Sequence, residues 1–412
     1  MIGDAHVLGR GLSAWRHEAR AELGLPVDRF IVMTGHQAGI WHAGIAEKFR
    51  VGARMAAERN GVLVHVVVDH DLNDASLVPF PALVGGKLAR HALERSPRGT
   101  AGTPNTLRKP VRTMRPERAH EVPDEIEAPL AAVERAIAAE RGRENLAMQM
   151  AHAANALLAP TARVDHTLAA TALAGTSLAR AMRDGFARLH DPYNAAIAGE
   201  RIAPLAANEA AFWSLDRADG SRRPFFAGET PDIVAPRALT LTAIARLVLC
   251  DVFIHGTGGA RYDRAMERWI GAAFGEDARA ALAPMAVATA TRHAPLARFV
   301  PEFDAGATPE ALRALEQDPF GDAEGTAGAV GATKRALLAA IRGEHTERRA
   351  AYVAMRRRIV EARAARAAEL AALRARIAAN AEARRIHALA TDRTWPFPLA
   401  LGLNPAAAPA AV

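Results

Sequence analysis

Apolar positions recur along the chain in more than one rhythm, and the rhythms divide it. Residues 4 to 23 carry them at helical spacing up to the break "GLP", and "RFIVMTG" then reads as a short apolar run bounded by turn chemistry, which predicts a buried strand. Helical spacing returns from Gly44 to Arg59, with Ile45, Phe49, Ala53 and Ala56 on one side and Asn60-Gly61 as the stop. "VLVHVVVDHD" follows as a second strand, apolar on both faces. A strand, a glycine-bearing loop, a helix and a strand within about 40 residues predict two parallel strands joined by a right-handed crossover.

Beyond this unit the pattern changes. Residues 72 to 123 are broken by prolines and glycines and predict a long surface excursion with a short hairpin. Residues 1–123 are thus the first half of a Rossmann-like core, and 124–220 a helical insertion carrying "EIEAPLAAVERAIAAE", "ENLAMQMAHAANALL" and "TLAATALAGTSLARAMRDGFARL". A polar connector, "SRRPFFAGETPDIVAPRA", leads into the second half at 221–330, where "LTLTAIARLVLCDVFIHGTGGARYDRAMERWI" predicts helix, strand, glycine turn and helix, and "MAVATATRHA" a further strand. Residues 331–390 have the Ala, Arg, Glu and Leu composition of a long helix. Its apolar stripe repeats at 18 residues (Met355 and Leu373, Ile359 and Ile377), five turns of a straight helix rather than whole heptads, so the arm either packs on its own domain or pairs with another subunit. Residues 391–412 form a tail. The fold class is α/β: a parallel sheet core with a helical insertion and a long C-terminal helix.

Composition narrows the function. With 412 residues the chain can bury a large core, and its single cysteine, Cys250 in "LVLCDVF", leaves no intrachain disulfide and reads as core packing. The net charge of +7 raises a nucleic-acid partner, but lysine stands only at Lys48, Lys87, Lys109 and Lys334, and the arginines are scattered without an aromatic-interleaved stripe. No nucleic-acid partner is expected. Without a membrane-length apolar run or a secretory start, the expected location is the cytoplasm, with no membrane partner.

Candidate chemistry gathers where the predicted strands end. Between the first strand and its helix, "TGHQAGIWHAG" places glycines at Gly35, Gly39 and Gly44, which suit close backbone approach, beside Thr34, His36, Gln37 and His42. The carboxyl edge of a parallel sheet and a helix amino end suit a nucleotide's phosphates. The spacing fits neither the dinucleotide fingerprint nor the Walker loop, where Lys48 would come too late. His36 and His42 are expected to donate to phosphate oxygens, with Thr34 and Gln37 as neutral donors; the plainer alternative has the histidines capping the helix and filling the loop. Asp69, His70 and Asp71, with Asn73 and Asp74, end the second strand and could hold an amine or sugar hydroxyls, orient nucleotide-bound Mg²⁺ or act as a general base. A closed zinc site would require His36, His42 and His70 to converge from separate loops, and no resident metal is expected. In "HGTGGARYD", Gly256, Gly258 and Gly259 precede a helix with Arg261 and Asp263 in its first turn, a second ligand-approach turn, and Arg237 is a candidate anion clamp.

"TGHQAGIWHAG", "VVVDHDLND" and "IHGTGGARYD" together resemble, in order and rough spacing, the motifs of the cysteine-adding enzymes of bacillithiol biosynthesis (BshC). The resemblance implies a core related to nucleotidyltransferases, a helical element used for homodimerisation, and an ATP-dependent ligase, with Mg²⁺, joining the cysteine carboxylate to an amino-sugar amine. It places Thr34, Gly35, Gln37 and Gly39 on the nucleotide loop, Asp69, His70 and Asp71 on the second motif, and Gly258 and Gly259 on the third. The departures are His36 in place of a glutamine, "HAGIAEK" in place of a Gly-Pro-Leu-Tyr stretch, Arg261 in place of an acidic residue, and a shorter chain. A same-fold nucleotidyltransferase or ligase acting on another small substrate, and a non-catalytic helical interaction protein, are the rival readings.

Overall fold

The computed structural model describes residues 5–93, 102–111, 121–317, 319, 339 and 345–401. The chain divides into two units, Met1–Pro295 with Asp392–Val412, and Leu296–Thr391.

In the first unit a two-rung hairpin, His6–Val7 with Arg10–Gly11, precedes helix α1 (Leu12–Glu22). The helix expected from residue 4 starts late because Leu8 and Gly9 adopt φ of 51° and 78°, which a right-handed helix cannot include. The predicted crossover is present as β1 (Ile31–Gln37), α2 (Ala43–Glu58) and β2 (Val62–Val68), with Asn60 left-handed at the helix exit. The excursion holds the hairpin β3 (Val78–Val84) and β4 (Lys87–Leu93); the rest of "SPRGTAGTPNTLRKPVR" lies partly outside the described residues. Next come α3 (Asp124–Ala139), α4 (Leu146–Leu158), β5 (His166–Ala169), a single turn Ala170–Leu173, α5 (Ser177–Asp184) and α6 (Phe186–Ala196). A three-stranded antiparallel sheet follows, from β6 (Glu209–Leu215), β7 (Arg222–Phe226) and β8 (Ile233–Pro236). The order closes with α7 (Ala238–Ile244), β9 (Val252–His255), α8 (Gly259–Phe274) and β10 (Met285–Val287).

Five of these strands form one parallel sheet in the order β10-β9-β1-β2-β5. The first strand is central, with later strands added outward first on one side and then on the other. In such a sheet the connections diverge between β1 and β9, opening a crevice at their carboxyl ends. Val32, Leu63 and Ile254 face α2, where Gly52 admits them: a Cβ there would come within 2.7 Å of Leu63. The opposite face buries Ile31, Met33, Val64, Val66 and Phe253 with Trp15 of α1 and Met266 and Trp269 of α8.

The segment 124–220, read from sequence as a helical insertion, supplies a strand to this sheet. β5 pairs four residues, His166 to Ala169, with Val64 to Val67 of β2 and runs straight into an alanine-rich turn, so its two-residue period is too short to register. The polar connector after it contains β7 and β8, with Phe225 and Ala235 buried.

Of the single long helix expected over 331–390, residues 331–338 and 340–344 lie outside the described residues, and from His345 on it is two helices, α10 (His345–Ala365) and α11 (Ala367–Ala390), parted where Arg366 leaves helical geometry at φ −99° and ψ 15°; α9 (Pro309–Gln317) precedes them in this second unit. Asn380 orders this unit by accepting from Asp304 N and donating to the carbonyls of Asp304 and Ala307. The chain then returns to the first unit, where α12 (Phe397–Leu401) follows the fully buried Trp395. Among the described residues no helix is long and apolar enough to cross a membrane.

Asp251 fastens the start of the central strand. Its carboxylate accepts from Ile31 N at 2.8 Å, Arg16 Nη1 at 2.8 Å and Arg20 Nη2 at 2.9 Å. Burial alone would raise its pKa, but the Ile31 amide and the two guanidinium groups outweigh burial and hold it below the usual carboxylate value. A depressed folded-state pKa stabilises above the unfolded value, and that stability is lost as the pH falls through the folded one. Asp251→Ala is expected to destabilise the protein by about 3 kcal/mol near neutrality, roughly 6 to 10 °C in melting temperature. The difference should shrink in melts at pH 3; equal losses at both pH values would remove this account.

Candidate functional site

Three loops meet the carboxyl edge of the sheet. In the loop after β1 most groups are spent on the protein itself. Thr34 is fully buried and its hydroxyl donates to Ile254 O at 2.8 Å, tying β1 to β9. Gly35 allows β1 to lie close to β2, since a Cβ would approach Val66 O to 2.9 Å. The chain turns inward after the exposed Gln37, with Gly39 at φ 149°, and buries Trp41 in a stack on Phe49 with ring centroids 5.0 Å apart. Trp41 Nε1 donates to Gln37 O at 2.7 Å.

His42 is the N-cap of α2: its Nδ1 accepts from Gly44 N at 3.1 Å, and its carbonyl accepts from Ile45 N at 3.0 Å. Gly44 is wedged under it, with no room for a Cβ between the His42 ring and Ala290 O. Phe397 N donates to Trp41 O, and Pro396 pairs with His42. The amino end of α2, expected to receive phosphate, is thus closed by His42 and residues 396–397, which matches the capping alternative for this residue. His36 remains half-buried near the edge, its ring 5.8 Å from that of Trp41.

The loop after β2 is tied down as well. Both oxygens of the fully buried Asp69 accept from Thr171, from its amide at 3.0 Å and its hydroxyl at 2.6 Å, so this carboxylate holds the start of the turn after β5. His70 is buried 3.7 Å from Asp69 Oδ1. Half-buried Asp71 accepts from Leu72 N at 2.9 Å and faces Arg222 at 3.4 Å. Asn73 Nδ2 donates to Ala38 O at 2.9 Å, joining this loop to the first. Asp74 pairs with Arg108.

The loop after β9 is the open one. Thr257 and Gly258 are exposed, and α8 begins at Gly259 without a side-chain cap. Arg261, in the first turn of α8, is exposed and faces Glu200 at 3.4 Å, whereas Arg237 is paired with buried Glu209 and stacked over Trp213. Among the described residues no cluster of three or more His, Cys, Asp or Glu could hold a metal ion.

Lys48 is the residue the sequence reading passed over. It lies on the buried face of α2, is 4% exposed, and reaches Gly35 O at 2.6 Å. Its Cδ comes within 4.0 Å of the Cβ position of Gly256, so the stem spans from α2 to the β9 loop. Five cationic side chains are buried among the described residues: Arg20, Lys48, Arg108, Arg237 and Arg246. Each arginine meets a carboxylate: Asp251, Asp74, Glu209, and Asp263 with Glu267. Lys48 meets only a carbonyl. Burial accordingly pushes its ammonium down to about 7. Its one sequence signal is position: in a chain that uses arginine almost throughout, a lysine falls on the apolar stripe of α2 between Ile45, Phe49 and Gly52.

His36 and His65 share this environment. Burial, with the Lys48 charge after it, lowers His36 to about 3; His65, fully buried against Phe49 and Trp41, is lowered by burial to about 3 despite its contact with Asn155. Compared with known proteins, the chain matches no family model and no curated relative.

A histidine kept neutral in the folded state and ordinary in the unfolded one withdraws stability once the pH falls below its unfolded value, near 6.5. Between pH 6 and 4, His36 and His65 should each cost up to about 1.4 kcal/mol per pH unit. Urea unfolding of His36→Gln should show a slope shallower by about that amount; a curve parallel to the wild type would count against the buried-neutral assignment.

Proposed function

We propose that this chain is a nucleotide-dependent ligase that activates an amino-acid carboxylate and passes it to an amine, with the nucleotide's phosphates lying at the switch point between β1 and β9. The observation that carries the reading is Lys48, a buried cation without a counter-ion among the described residues, at the edge where open parallel sheets bind ligands. A phosphate supplies the missing charge, and the uncapped amino end of α8 supplies amides on the same loop. ATP therefore fits the residues present. Lys48 holds phosphate from the α2 side, the Gly256–Gly259 backbone from the other, and half-buried His36 offers a neutral hydrogen bond. Mg²⁺ binds through phosphates and one or two carboxylates while keeping much of its water, and Asp71 rather than Asp69 is the carboxylate of that loop in a position to meet it.

The kind of reaction rests on the motif resemblance. The three matching stretches are the ends of β1, β2 and β9, neighbours on one sheet edge. Cysteine as carboxylate donor and an amino sugar as acceptor are the substrates this reading carries, and ATP activation converts an unreactive carboxylate into one an amine can attack.

Titration calorimetry with ATP tests the site. The wild type should bind, and Lys48→Met should weaken binding at least tenfold. Ligand-free Lys48→Met should at the same time be more stable than the wild type at pH 7, by about 2 kcal/mol, because an uncompensated buried charge is removed. Absence of ATP binding, or equal affinity in the variant, defeats the site. Pyrophosphate or phosphate release that requires cysteine and an amino sugar together supports ligation; release with a different acceptor alone assigns the same fold another small substrate.

A further inference from the structure

Among the buried side-chain polar atoms without a hydrogen-bond partner in the described residues, two belong to the β9–α8 side of the switch point: His255 Nε2 and Asp263 Oδ1. They belong to facing side chains. His255 is the last residue of β9, and its Nε2 lies 3.4 Å from Asp263 Oδ2 on the first turns of α8. Asp263, 2% exposed, is held from behind by Arg246, which also bonds Glu267 at 2.7 Å and Ala283 O at 2.7 Å. The carboxylate is therefore fixed by its ion pair with Arg246, and a small rotation of the imidazole completes an Nε2–H to carboxylate bond.

The other ring nitrogen faces the open loop. A Cβ at residue 259 would lie 2.5 Å from His255 Nδ1, so only glycine there leaves the nitrogen its space. Register puts the residue at the switch point: Ile254 is level with Thr34, so His255 falls beside Gly35, whose carbonyl receives Lys48. Lys48 comes from the α2 face of the sheet and His255 from the α8 face.

We propose that His255, oriented by Asp263, is the general base of the switch-point site, acting on an acceptor that carries an N–H or O–H group. This rests on the nucleotide reading above. The acceptor's proton passes to Nδ1, the freed electron pair attacks the nucleotide-activated carboxyl carbon, and the phosphate-bearing leaving group departs with the bonding pair. Asp263 favours the tautomer with its proton on Nε2 and stabilises the imidazolium that forms.

The test uses the full chain with ¹⁵N-labelled histidine. His255 should show its proton on Nε2 and a bare Nδ1, Asp263→Asn should lose that preference, and ATP should move the Nδ1 signal. Asp263 also balances Arg246, so the folding of Asp263→Asn is checked by melting, and Asp263→Glu, which keeps the charge, should restore the tautomer. His255→Gln should lower turnover at least 100-fold while ATP affinity stays within about twofold. A proton on Nδ1 in the wild type, an unchanged tautomer in Asp263→Asn, or ATP that binds without moving Nδ1 overturns the assignment. Failure of the nucleotide reading is separately visible: ATP then gives no heat at all, and His255, left without a ligand to serve, loses its role as base with it.

Discussion

The central position of β1 governs everything around it. Seven of its residues pair with β2 on one side and three with β9 on the other, all parallel. No residue along such a strand may claim much room: Gly35 has none for a Cβ, Thr34 turns its hydroxyl to β9, and Asp251 fixes the strand's start. The strand is free only where it ends, and the connections on its two sides leave in different directions there. A crevice at that point follows from topology before any side chain is considered.

Charge burial divides the interior into settled and unsettled parts. The buried arginines are each matched to carboxylates, joining α1 to β9, the β2 loop to the segment after Asn105, β6 to α7, and the turn after α7 to α8. These pairs close the accounts of the scaffold, since an unmatched charge in a dry interior costs several kcal/mol. Several exceptions lie at the switch point, while others, Ser214 Oγ and Arg237 Nε, lie in the scaffold. Among the described residues Lys48 lacks a counter-ion, His36 and His65 stay uncharged around it, and His255 and Asp263 leave polar atoms unsatisfied across the sheet. A buried cation without a matching carboxylate, beside histidines held neutral, is the kind of stability sacrifice a preorganised site requires.

Much of the architecture was legible in the residues because it rests on local rhythm. The β1-α2-β2 crossover, the β3–β4 hairpin, and the run from α7 through β9 to α8 each carry their own periodicity and stop signals. β5 was not legible: four residues merging into an alanine-rich turn have no period to read, and only pairing with β2 makes them a strand. The site was half legible for a related reason. Glycines and histidines marked the right edge, but His42 and Asp69 turn out to cap α2 and the turn after β5, and no local pattern distinguishes a cap from a ligand contact. Lys48, too far along for a Walker loop, and His255 carry little sequence signal of their own because their meaning lies in what fails to surround them, and that is a property of three dimensions.

The last described stretch of the chain closes what the first strand opened. Phe397 hydrogen-bonds the Trp41 carbonyl and Trp395 is wholly buried beneath the Arg90 guanidinium, so the lining next to α2 is completed by residues that follow the whole second unit in the chain. Until then Trp41 and its neighbours lack their cover, and the nascent α/β core must wait, incompletely sealed, while the whole intervening helical unit is synthesised. In a protein built this way the β1-α2-β2 crossover is sealed only after the second unit has been made.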